Sequence, residues 1–507
     1  MALSGEDIGR RVAAFIDSHP SGWIKHDNLV TFLESKCSLK DICTAVPKIT
    51  DPDLIEKTLV FFENIVGFED IASCLVSEDF APFLRAAACS PSERLRSVVV
   101  RAFDSVKRQS FPTEADADLL VTLLADEDTG VSQRVSKLFI KWVSATIYVE
   151  NEKTQFISRL LGLYRARQAS GGMEATNEFR YITLFIELSK QGPAIFTNIE
   201  KSGVFESIIV NLLANSADLL VKLGSLTLIE SLSGFDSGRE YLAHSNVLGT
   251  LETELFGPLA DSTTQISILY SMACIIPFTH NEDHIRSILI SPPSRFGQVI
   301  SKFIISVNNP ERMCAMKVLA QISTAADTNE IIDSFMRQQW RNLSQIIFAL
   351  ADIDVEVVNT ALDALHTMIK RWEGNPFMES VTAQNQLVKE INSTFTRHPF
   401  PECRSLVYSL VGALIMYEEI SDSALELILS DSSPIRHALL DHRSESDYAS
   451  RSAKCDFVRV LVKREEKRLL ERFFKKEEIE NFIDFAEKGL QWVPISTSKD
   501  ELATEAG

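Results

Sequence analysis

The feature that most limits what this chain can fold into is a period. From about residue 194 to residue 370 an amphipathic pattern recurs, and the last apolar positions of four successive long segments are Leu232, Ile276, Ile322 and Met368, 44, 46 and 46 residues apart. The stretches VFESIIVNLLANSADLLVKLGSLTLIESLS, RFGQVISKFIISVNNPERMCAMKVLAQIST and WRNLSQIIFALADIDVEVVNTALDALHTMIK share one order: a helix, a break of Asn, Ser, Asp or Pro, then a long amphipathic helix. Each long helix is apolar on a stripe, as at Val221, Gly224, Ser225, Leu228 and Leu232. One unit cannot cover such a stripe; stacked neighbours can. A helical period of ~40–47 residues is that of armadillo and HEAT units. The fold class predicted is therefore all-α, an armadillo/HEAT-type helical-repeat solenoid of roughly ten units in a curved superhelix.

Copies with more drift come earlier, in FAPFLRAAACSPSERLRSVVVRAFDSVKRQ and DADLLVTLLADEDTGVSQRVSKLFIKWVSA. Residues 1–494 read as one solenoid, with more divergent repeats over 1–178, a second stretch over 179–494, and a loose tail at 495–507. Helix stop and start chemistry marks the breaks: Asn215 and Ser216, Asn308 to Pro310, and Pro91 with Ser92. Interruptions are expected at ASGGMEAT (169–176) and SPPSRFG (291–297).

Charge and cysteine use narrow the partners. Fifty-one basic against seventy acidic side chains give −19, which repels phosphate backbones and argues against nucleic acid. The eight cysteines are scattered without a CxxC pair, and the N-terminal residues lack an apolar leader core, so a reduced cytoplasmic or nuclear protein is expected. No run approaches the ~18 apolar residues of a membrane span. KDEL occurs at 499–502 but is followed by five residues, and a retention receptor reads it only at the extreme C-terminus.

Candidate chemistry is thin. His280 and His284 in FTHNEDHIRSI would share a helical face, yet the order HNEDH is not HExxH, and a solvated helix start near Asn281 and Asp283 is the expectation. GFDSGRE at Gly234 has P-loop glycine spacing but Arg239 in place of Lys, and reads as a turn between helices. The charged run RVLVKREEKRLLERFFKKEEIE (459–480) reads as a solvated helix face with i,i+4 pairs. No catalytic residue, metal ligand or cofactor is expected, and the chain is read as no enzyme.

Binding is the reading that remains. Aligning the long helices by their stripes puts Arg101 and Ser105, Lys137 and Lys141, Thr227 and Ser231, Lys317 and Gln321, and Asp363 and Thr367 on the exposed groove-lining positions. Four of these ten are basic in an acidic chain. The Trp and Asn four residues apart that nuclear-import receptors place there are missing.

One stretch, LLDHRSESDYASRSAKCDFVRVLV (439–462), gathers polar groups that suggest either an active site or a joint between helices. Glu445, Asp447, Ala449, Ser450, Ala453 and Lys454 leading into an apolar helix, with PFPE at 399–402, Ser433-Pro434, GREYL at 238–242 and WVPISTS at 492–498, resemble the 26S proteasome non-ATPase regulatory subunit 5 family. The resemblance runs from about residue 179 to the end. It implies a non-catalytic chaperone of 19S base assembly that binds the C-terminal domain of one base ATPase, helps it pair with its neighbour and leaves before the mature particle forms. The resemblance makes the polar stretch a capped joint; a chain monomeric by itself, with no membrane or nucleic-acid partner, is expected. The alternative is a generic armadillo-repeat adaptor for transport or signalling.

Overall fold

The computed structural model describes residues 4–19, 24–107, 111–170, 174–291, 294–417, 419–441, 444–463 and 467–491. Among these every regular element is a helix. The chain has the all-α, armadillo/HEAT-type helical-repeat fold. Among its long helices are α1 (Pro52–Ile65), α2 (Glu93–Ser105), α3 (Thr129–Ser144), α4 (Leu219–Ser233), α5 (Ser262–Ile275), α6 (Asn309–Ser323), α7 (Val355–Arg371), α8 (Pro401–Met416) and α9 (Tyr448–Lys463). Two shorter helices precede most of them, such as Glu330–Gln338 and Trp340–Ala349 before α7.

Two compact units divide the chain, Met1–Leu228 and Ile229–Gly507. In the first, α1 packs on α2 and α2 on α3. In the second, α5, α6, α7, α8 and α9 lie side by side in that order, and Arg295–Ile304, Trp340–Ala349 and Val381–Arg397 form the layer behind them. The period read from the sequence is the period of this stacking: Leu232, Ile276, Ile322 and Met368 are all buried.

Helix α7 shows how the residues dictate the element. Val357, Val358, Ala361, Leu362, Ala364, Leu365, Met368 and Ile369 bury one broad face. Asp354 accepts from the Glu356 N–H at 2.9 Å and so caps the start. Lys370 and Arg371 sit against the partial negative charge of the last turn.

Some local expectations need correction. The break falls at Asn215 and Ser216 as expected, but the residue that caps α4 is Asp218, accepting from Leu220 N–H at 2.8 Å. GFDSGRE is a turn only at Gly234–Phe235, because a helix runs from Asp236 to His244. His280 lies before the N-cap Asn281 and is off the helix that carries His284, so the two do not share a face. The charged run is not one helix surface: α9 ends at Lys463, and further helices span Lys467–Phe473 and Lys476–Lys488. Its Lys476–Glu480 pair is present at 3.9 Å. The WVPISTS, KDEL and tail segments lie outside the described residues.

All eight cysteines are free thiols. No described helix is long and apolar enough to cross a membrane, and among the described residues no group of three or more His, Cys, Asp or Glu could hold a metal ion.

Candidate functional site

The polar stretch 439–462 is built as a joint. Asp447 accepts from the N–H groups of Ala449 at 2.8 Å and Ser450 at 3.0 Å, capping α9. Buried Glu445 accepts from Arg404 Nη1 and from the Tyr408 hydroxyl, each at 2.7 Å. Lys454 spans the same joint from the other side, donating to the carbonyls of Ala438 at 2.6 Å and Asp441 at 2.7 Å. Burial pulls the Lys454 ammonium down to about 8, against the opposing pull of Glu445.

The Arg404–Glu445 pair is one of three of a kind. Arg96, Arg312 and Arg404 each occupy the fourth position of a long helix, and each reaches an acid in the joint that leads into the following one. Arg96 grips Asp126 with two bonds, 2.6 and 2.9 Å, and Arg312 holds Asp352 at 2.7 Å. Asp126 and Asp352 also accept the N–H two residues on, at 2.8 and 2.9 Å, which shapes the turn before α3 and before α7. These clamps fasten neighbouring repeats together.

With its joint so fixed, α9 stands beside α8 and α7 around an open groove of about 860 Å³. Small side chains line much of it: Ser405, Ser409, Gly412 and Ala413 on α8 and Ala449, Ser452 and Ala453 on α9. Tyr408 and Phe457 form the apolar floor, and Met416 and Tyr448 rise at the edges, 57% and 77% exposed. His366 and Lys370 line the α7 side, and burial with the Lys370 charge holds the His366 imidazolium down. The Ser409 hydroxyl is bonded to its own helix, at the Ser405 carbonyl, 3.0 Å away. The arrangement suits an apolar side chain or short segment entering from solvent.

The residues chosen from the sequence fall on the exposed or half-exposed sides of the long helices. The structure brings Arg101 and Ser105 on α2 beside the helix of Lys137 and Lys141, and Lys317 and Gln321 on α6 beside the helix of Asp363 and Thr367. Thr227 and Ser231 are exposed on α4. Lys141 is already engaged, 2.5 Å from Asp104 on α2. The alignment stopped at α7 and so missed the groove; its signal was the run of small residues on α8 and α9.

A family model described as proteasome non-ATPase 26S subunit matches residues 46–493. The chain belongs to the proteasome non-ATPase 26S subunit family. The groove and all three clamps of this family member lie inside the matched span. No curated protein sequence matches significantly. Among solved structures, the chain is similar to one from the Kap95:Nup1 complex with a TM-score of 0.51 and 11% identity, covering 93% of this chain and 56% of that one. A Kap121p structure bound to Pho4p gives 0.41 and 14%, covering 98% and 49%, and an engineered protein gives 0.41 and 14%, covering 87% and 98%. The family member thus spans about half the length of the two Kap chains. The first of these likenesses supports the helical-repeat fold alone.

The joint and the buried thiols together set a pH dependence. Burial raises Cys403 to about 11 and Cys314 to about 12 from 9.0, and raises Cys43 as well. Lys454 binds its proton less tightly folded than unfolded, so stability is expected to rise as pH climbs through about 8. The thiols bind theirs more tightly when folded, so above pH ~9 each removes up to ~1.4 kcal/mol per pH unit. Urea denaturation from pH 7 to 10.5 is expected to show a maximum near pH 9. Lys454→Met should abolish the rising limb and leave the falling one; a rising limb unchanged in that variant would refute the assignment.

Proposed function

We propose that this chain is a non-catalytic chaperone of 19S base assembly, cytoplasmic and nuclear, that binds the C-terminal domain of a base ATPase and leaves before the mature particle forms. Membership of the proteasome non-ATPase 26S subunit family over residues 46–493 is the observation that carries the reading. The groove between α7, α8 and α9 supports it by offering an apolar anchor point on a rigid face. A partner held there is lost on assembly if the finished complex binds the same surface better. The competing reading is an armadillo adaptor, which would use the same fold for other cargo.

Tagged chain purified gently should bring down base ATPases without core-particle subunits; stoichiometric retention in complete 26S particles would sink the proposal. Met416→Asp with Tyr448→Asp changes two exposed side chains. It is expected to weaken ATPase capture at least tenfold at unchanged melting temperature. Lys137→Glu with Lys141→Glu should weaken it less, because Lys141 already faces Asp104.

A further inference from the structure

In the C-terminal unit, successive loops that enter long helices put an apolar side chain into water. Val307 and Ile353 each stand two residues before a helix, α6 and α7, and Phe400 directly before α8, 46 and 47 residues apart. Val307 is 100%, Ile353 93% and Phe400 48% exposed, and Ile305 in the first loop is also exposed. Single exposed apolar residues are ordinary. Here the loops that carry them are hooked to one another. Asn309 donates to Asp354 at 2.5 Å, Arg312 to Asp352 at 2.7 Å, and the His398 ring meets the Asp352 carbonyl at 3.2 Å. The apolar side chains therefore stand along one edge at a spacing set by helix packing.

The charge of that edge says what would cover it. Residues 305–312, 351–356 and 397–404 contain Glu311, Asp352, Asp354, Glu356 and Glu402 against Arg312, Arg397 and Arg404. Arg312 and Arg404 are turned into clamps and Arg397 bonds Ser393 on its own helix, whereas Glu356 and Glu402 are exposed. We infer that this edge docks a protein segment in which aliphatic side chains alternate with lysines and arginines. The aliphatic groups would cover Val307, Ile353 and Phe400, while the cations would face Glu356 and Glu402. Anionic lipid and nucleic acid are repelled by the same carboxylates. The edge is separate from the groove and does not depend on the chaperone reading.

The test uses the full chain and three fluorescein-labelled 16-residue peptides: leucines spaced three and four apart with lysines between, the same with glutamates for lysines, and the lysine peptide with serines for leucines. The leucine–lysine peptide is expected to bind with micromolar affinity, and the other two at least tenfold more weakly. Val307→Asp with Ile353→Asp should weaken it at least tenfold even though negative charge is added, at unchanged circular dichroism and melting temperature. Glu356→Lys with Glu402→Lys should also weaken it at least fivefold. Equal binding by the aspartate variant would show mere charge attraction and overturn the proposal. So would loss of binding in the groove variant alone, or flotation with phosphatidylcholine vesicles that the aspartate variant abolishes, which would assign the edge to lipid.

Discussion

Replacing Glu445 with alanine should destabilise the C-terminal unit by ~3–5 kcal/mol, the range for removing one partner of a buried ion pair. The Glu445 side chain is 3% exposed and Arg404 21%, so the stranded guanidinium recovers little hydration. The Tyr408 hydroxyl loses its acceptor in the same step. Lys454 loses a carboxylate that holds its proton, so its pKa should fall further below about 8. The readouts are the melting temperature and hydrogen exchange of amides 444–463, which should exchange early. Replacing the network at once, with Arg404→Met, Tyr408→Phe and Glu445→Met, should recover most of the loss, since apolar packing of similar volume often matches a buried ion pair. An unchanged melting temperature in Glu445→Ala would mean that the clamp contributes nothing.

Gly238→Ala should be the most damaging conservative change. A Cβ at Gly238 would lie 1.9 Å from the Leu232 carbonyl oxygen and 2.9 Å from its carbon, both backbone atoms that cannot swing aside. Helix Asp236–His244 would have to back away from the end of α4, uncovering buried Leu242 and stretching the Arg239 bond to the Ser233 carbonyl. Overpacking typically costs ~1–3 kcal/mol, occasionally more, and a clash with backbone belongs at the top of that range. Gly162→Ala is the control of opposite sign. Gly162 sits inside helix Glu150–Ala169 with nothing within 4 Å of a new Cβ. Alanine there should stabilise by ~0.5–1 kcal/mol through helix propensity. Equal melting temperatures for the two variants would refute the packing account.

What the sequence disclosed was local or periodic. The last apolar positions of the long helices could be read because burial of a stripe repeats with the stacking, and all four are buried. The capped joint at Asp447 was expected only through the family resemblance, because its polar residues taken alone suit an active site as well as a joint. The charged run misled because its charge pattern continues across the ends of three helices, α9, Lys467–Phe473 and Lys476–Lys488, and buried Phe474 separates the last two. The clamps were hidden because Arg96 and Asp126, Arg312 and Asp352, and Arg404 and Glu445 meet only after folding, 30, 40 and 41 residues apart. The groove was hidden for a further reason. Small residues on α8 and α9 mean close packing or an open channel depending on how the helices lie, which no single segment contains.

The clamps also constrain how such a molecule can change in length. Each has its arginine in one repeat and its acid in the next, so cutting at any repeat boundary from α2 to α3, α6 to α7 or α8 to α9 separates two halves of a bond. An inserted or deleted helix would strand one half, even if every helix remained intact. A gain or loss of one whole period strands it too unless the unit brought alongside supplies an acid, and the joint before α8, residues 398–400, has none. Lineages of this chain should therefore keep the clamped boundaries unbroken and differ in length at joints that carry no clamp.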